Sequence, residues 1–161
     1  MVSAIKNNVL KIFFSMFLLL TFFSCSKKTS DNNSSSGNPE EITFIGLSNV
    51  GGEQGNYRII KITKDSIHLE TGMNAGEKHK EWHKAITPKT WKNLTSSFKI
   101  KDLSLIESSP SIQYLDGIDE TFQIKTTKNS HVFVNAYSDT HYRQFEEFKI
   151  KLENILPKQP Q

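Results

Sequence analysis

His79, Glu81 and His83 are the residues whose types and spacing come nearest to a metal site or a proton-transfer set. In a strand, alternation points all three to one side, yet His79 and His83 then stand about 13 Å apart, too far to share one ion without a ligand from elsewhere. Only a helix would make them neighbours, and the His-Glu-x-x-His pattern of the zincins is not present. The segment therefore reads as a solvated strand face. Asp116, Asp119 and Glu120 surround Gly117 and offer oxygen ligands of the kind calcium takes, but not at EF-hand spacing, so they read as a turn with solvated carboxylates. Nucleophilic catalysis needs a serine, threonine or cysteine beside a base. No Gly-x-Ser-x-Gly elbow occurs, and His68, His131 and His141 are scattered along the chain. These residues predict no catalytic set, no metal site and no cofactor. Because acids far apart in sequence can meet in space, a small hydrolase or metal-dependent enzyme is the alternative function.

Cys25 is the single cysteine, so no internal disulfide can form, and it stands where an apolar run ends and a polar stretch begins. Ahead of it lie the basic residues Lys6 and Lys11, the apolar stretch from Ile12 to Phe23, and the small Ser24, the three zones of a secretory signal. At about 1.5 Å per residue the apolar stretch spans about 18 Å, short of the roughly 30 Å of a bilayer's hydrocarbon core. The residues Thr21-Phe22-Phe23-Ser24-Cys25 resemble the lipobox of bacterial lipoproteins, with Phe22 where leucine is usual and Ser24 as the small residue before the cut. The resemblance implies cleavage between Ser24 and Cys25 and acylation of the Cys25 sulfur. It implies a membrane partner, reached through the lipid. Acylation also removes the liability of a free thiol in an oxidising compartment.

Residues 1–24 carry two lysines and no acid, so trimming lowers the formal charge from +3 to +1. A nearly neutral mature chain lacks the clustered basic face that nucleic acid requires, and nucleic-acid binding is excluded from the reading. Residues 25–40 form the lipidated cysteine and a tether: from Ser26 to Glu40 there is serine, asparagine, lysine and proline but no large apolar side chain. As a flexible coil that stretch spans roughly 20 Å. One domain is expected over residues 41–157, with residues 158–161 as a tail.

Within the domain, Ile42 to Leu47, Tyr57 to Ile62 and Ser66 to Thr71 read as strands, the last two joined as a hairpin through Lys64-Asp65. Lys78 to Ile86 fits a strand or a helix stripe, and strand is preferred. Thr87 and Pro88 open a helix with Trp91, Leu94 and Phe98 on one face. Leu103, Leu105 and Ile106 predict an extended piece, and Ser108 to Gly117 a polar loop. A second hairpin follows, Phe122 and Ile124 facing Val132, Val134 and Ala136. Thr140 to Leu156 is the clearest helix, with Tyr142, Phe145, Leu152 and Ile155 at helical spacing and caps from Ser138-Asp139-Thr140. The fold class is α+β: an antiparallel sheet of about five to six strands with two helices packed on one face.

This layout, with a helix near Trp91 and an Asp-Gly turn before the last hairpin, resembles small sheet-plus-helix domains of unknown function on Gram-negative lipoproteins. The likeness carries over no functional residue. If Val132, Val134 and Ala136 point inward, His131, Phe133 and Tyr137 form an exposed aromatic patch of the sort that marks partner surfaces. The expected function is a lipid-anchored cell-envelope lipoprotein whose non-catalytic domain binds an envelope protein. Acids directly after the cysteine mark some surface-exposed lipoproteins; Ser26-Lys27-Lys28 stands here instead, which favours the periplasmic leaflet of the outer membrane.

Overall fold

The computed structural model describes residues 39–74 and 79–158, so Ser24, Cys25, the leader and nearly all of the tether lie outside the described residues. Six strands form one antiparallel sheet: β1 (Ile42–Gly51), β2 (Asn56–Ile62), β3 (Ser66–Met73), β4 (His79–Ala85), β5 (Ile118–Thr126) and β6 (Ser130–Val134), in the order β4-β3-β2-β1-β5-β6. Among the described residues two α-helices accompany it, α1 (Pro88–Thr95) and α2 (Arg143–Glu153). The chain is α+β.

Sequential antiparallel pairing joins β1 to β4, and β5 returns to pair with β1 from far along the chain, placing Ile45 opposite Ile124 and Leu47 opposite Phe122. Alternation then gives the sheet two unlike faces. Ile45, Leu47, Ile60, Ile62, Ile67, Leu69, Phe122, Ile124 and Phe133 are buried and belong to one cluster with Trp91 and Leu94 of α1 and Phe145, Phe148 and Leu152 of α2. The Phe122 ring stacks on Phe145 at 4.4 Å, while Phe98 meets Phe148 at 5.1 Å. Truncating any one of these rings to alanine costs about 3–5 kcal/mol.

Thr87 caps α1 through its hydroxyl, which accepts from the Thr90 amide at 3.2 Å, and Pro88 sits where its missing N–H is not needed. At α2 the expected caps do not act: Tyr142 occupies the cap position without a side-chain bond, and the Asp139 carboxylate accepts from the Glu107 and His141 amides. Ile100–Leu105 is a 3-10 segment instead of an extended piece. Leu103 is buried, Leu105 is exposed, and Ile100 and Ile106 rest against the core, a three-residue spacing that the tighter helix satisfies and a strand does not.

β6 corrects the expected facing. Phe133 pairs with Phe122 and is buried against Phe145, whereas Val132 points to solvent at 55 % exposure. Both alternating sets of this short strand are apolar enough to face inward, and the register with β5 decides between them. After Val134 the strand stops at Asn135, whose φ of 47° turns the chain so that Ala136 is buried as well.

Candidate functional site

The second face of the sheet gathers most of the histidines. Its residues include Phe44, Gly46 and Ser48 from β1, Tyr57, Ile59 and Lys61 from β2, His68 and Glu70 from β3, and His79, Glu81 and His83 from β4, and all of these side chains remain partly or fully exposed. Gly46 lets the Phe44 ring lie over the backbone: a Cβ there would meet the ring at 3.1 Å. Phe44, Ile59, Thr121, Gln123 and Val132 line a shallow apolar depression on this face.

Two chains of hydrogen bonds cross β2, β3 and β4 beside it. In the first, the Lys61 ammonium donates to Glu70 Oε1 at 2.8 Å, His68 Nε2 lies 2.9 Å from the same oxygen, and His68 Nδ1 lies 2.9 Å from His83 Nδ1. The hydrogen bond from Lys61 holds the Glu70 carboxyl below its ordinary range against the opposing effect of desolvation, and His68 adds to it. In the second, the Tyr57 hydroxyl and Glu81 Oε1 engage the two nitrogens of His79, each at 2.8 Å. The bond with His79 lowers the Glu81 carboxyl in the same way. His79 and His83 do share a side without meeting, and the partner that reaches His83 is His68 of the neighbouring strand. No three potential metal-ligating side chains converge among the described residues.

The residues expected to form a patch, His131, Phe133 and Tyr137, differ in exposure, and Tyr137 alone of the three is open to solvent, at 49 %. Phe133 is in the core; His131 is half-buried and stacks on the Phe133 ring at 6.0 Å; Tyr137 lies in a 3-10 turn and donates its hydroxyl to Asn135 Oδ1 at 2.8 Å. His141 is bound locally to Asp139.

Asp116, Asp119 and Glu120 are also separated. Neighbours on a strand point to opposite faces. Asp119 is buried under the loop that precedes β5, accepting from the Ile112 amide and from Asn135 Nδ2 at 2.8 and 2.7 Å, whereas Asp116 is exposed in a left-handed turn. Glu120 turns inward, accepts from the Tyr142 hydroxyl at 2.6 Å and pairs with Lys149 at 2.9 Å. Burial and the adjacent Glu120 carboxylate push the Tyr142 phenol well above its ordinary range. These buried groups are satisfied by one another and join β5, the end of β6 and α2, which is an arrangement for holding structure rather than for moving protons to a substrate.

One surface the sequence reading passed over lies in the loop between the 3-10 segment and β5. Tyr114 is 79 % exposed and Leu115 68 %, with Ile112 and Ile118 also open, although the loop is otherwise tied down by Asp119 and by Gln113 donating to the Val50 carbonyl. The signal was present in the run Ser111-Ile112-Gln113-Tyr114-Leu115, whose apolar members have no strand or helix period to send them inward. Compared with known protein families and with curated proteins, the chain finds no match.

Proposed function

We propose that this chain is a lipid-anchored cell-envelope lipoprotein, held at the periplasmic leaflet of the outer membrane by acyl chains on Cys25, whose domain binds another envelope component without doing chemistry. In this reading both helices pack on the Phe122 side of the sheet and leave the opposite side free. The observation that carries it is the order basic start, short apolar stretch, Ser24, Cys25 and polar tether. Among the described residues no helix is long and apolar enough to cross a membrane.

The contact surface in this proposal is the loop bearing Tyr114 and Leu115. The chain enters the sheet at Glu40, next to the Ile42 end of β1, and this loop sits at the Gly51 end, where Gly52 donates to the Gly117 carbonyl. Ten residues of strand separate the two ends, about 30 Å. The point where the chain joins the sheet and the contact loop thus lie at opposite ends of β1. The alternative, a small hydrolase, draws on the His68, Glu70 and His83 cluster, but neither ring has a hydroxyl partner among the described residues.

Growth with a labelled fatty acid tests the anchor: label enters the wild-type chain and is lost in Cys25→Ser, and label retained in the variant overturns the proposal. A photo-crosslinking residue at position 114 traps an envelope component in intact cells, whereas one at the exposed Lys89 does not. Equal trapping at both positions removes the loop from the account.

A further inference from the structure

The histidine pair across β3 and β4 has a donor order that follows from its partners. The Glu70 carboxylate can only accept, so His68 Nε2 carries the hydrogen it donates to Glu70, and in the neutral ring His68 Nδ1 is left as a bare lone pair. That lone pair faces His83 Nδ1 at 2.9 Å, which must then be the donor. A carboxylate that fixes one ring nitrogen and leaves the other free is the outer-shell arrangement of histidine metal ligands. Glu70 is itself fixed by Lys61, whose charge its carboxylate offsets, so the anchoring side chains are already paired before an ion arrives.

We propose that His68 and His83 form a two-histidine site on the sheet surface for a divalent transition-metal ion of the zinc, nickel or copper class, with water completing the shell. Two imidazole nitrogens about 2.0–2.1 Å from an ion in tetrahedral geometry lie about 3.4 Å apart, so the pair opens by roughly half an ångström, within reach of small side-chain rotations. The ion takes the place of the hydrogen between the rings: His83 carries its hydrogen on Nε2 instead of Nδ1, both rings stay neutral, and Glu70 keeps its bond to His68. Imidazole donors suit zinc, nickel and copper, while magnesium and calcium prefer oxygen ligands. Lys61 is a neighbouring cation on this face, and Glu70 balances it. Both rings are reachable, His68 being a quarter exposed and His83 more open.

The test is calorimetric titration of the full-length chain in detergent with zinc and nickel chloride, with magnesium chloride as the control ion. One zinc or nickel ion binds per chain, His68→Gln and His83→Gln each weaken it at least tenfold, and Glu70→Gln weakens it about tenfold by releasing the His68 ring. His131→Gln and His141→Gln leave it unchanged. Nickel also broadens the ring resonances of His68 and His83 before those of the other histidines in the wild-type chain, a reading that needs no variant. Affinity unchanged in either His68→Gln or His83→Gln, or broadening that begins at His131 or His141, overturns the site.

Discussion

Phe133, paired with Phe122 across the strands, packs against the Phe145 ring at 5.4 Å at the β6 edge of the core. Phe133→Ala lowers unfolding free energy by about 3–5 kcal/mol in chemical denaturation, whereas Val132→Ala on the same strand costs under about 1 kcal/mol because its side chain is already in water. Reversed magnitudes would mean that β6 faces the other way. Asp139 gives stability a second residue-scale handle. The amide of Glu107 donates to its carboxylate, burial opposes this, and His141 adds two further bonds; the net effect holds the carboxyl below its ordinary range. A depressed folded value means that the stabilisation is present above the unfolded carboxyl value near pH 4 and disappears as pH falls through the folded value below it. The thermal midpoint of the wild type therefore drops on acidification from about pH 5 to pH 2 more steeply than that of Asp139→Asn, which has already lost this contribution. Parallel pH profiles would show that Asp139 is not so held.

Among the elements, β1 does the most to organise the molecule, because it pairs with β2 on one side and β5 on the other and ends where the Tyr114 loop closes. Gly51 makes that closure possible. It has φ of +140°, a conformation L side chains rarely adopt, and a Cβ there would come within 2.1 Å of the Gly117 carbonyl oxygen. Gly51→Ala costs more than about 1–3 kcal/mol, since strain and collision with backbone act together. Limited proteolysis of that variant cuts within 108–117 faster than in the wild type; an unchanged cleavage rate would mean the loop is held without this contact. At the other side of the sheet, β4 carries Lys80 and Lys84 on an exposed edge, charges that discourage pairing with another strand.

For the whole molecule, the proposed anchor turns a folded domain into a surface-bound one. One acyl chain holds only marginally, at about 0.8 kcal/mol per buried methylene, so durable attachment takes two or more. The wild-type chain accordingly stays with membranes through a high-salt wash, and Cys25→Ser carrying the same domain passes to the soluble fraction. A variant that stays with the membranes would assign retention to something other than the Cys25 lipid.

By itself, the sequence determined what depends on near neighbours in the chain. Alternation in Ser66 to Thr71, the Thr87-Pro88 start of α1 and the spacing of Phe145 and Leu152 were legible because each element's period and caps are written within a dozen residues. The Cys25 junction is local in the same sense and remains a reading of sequence alone. Only the tertiary structure decided which way β6 faces, that Asp119 and Glu120 part to opposite sides, and that His83 meets His68 while His79 meets Tyr57. Each of these depends on strand register, and register is settled by the summed burial of a whole face together with the turns that join the strands, which no single segment contains.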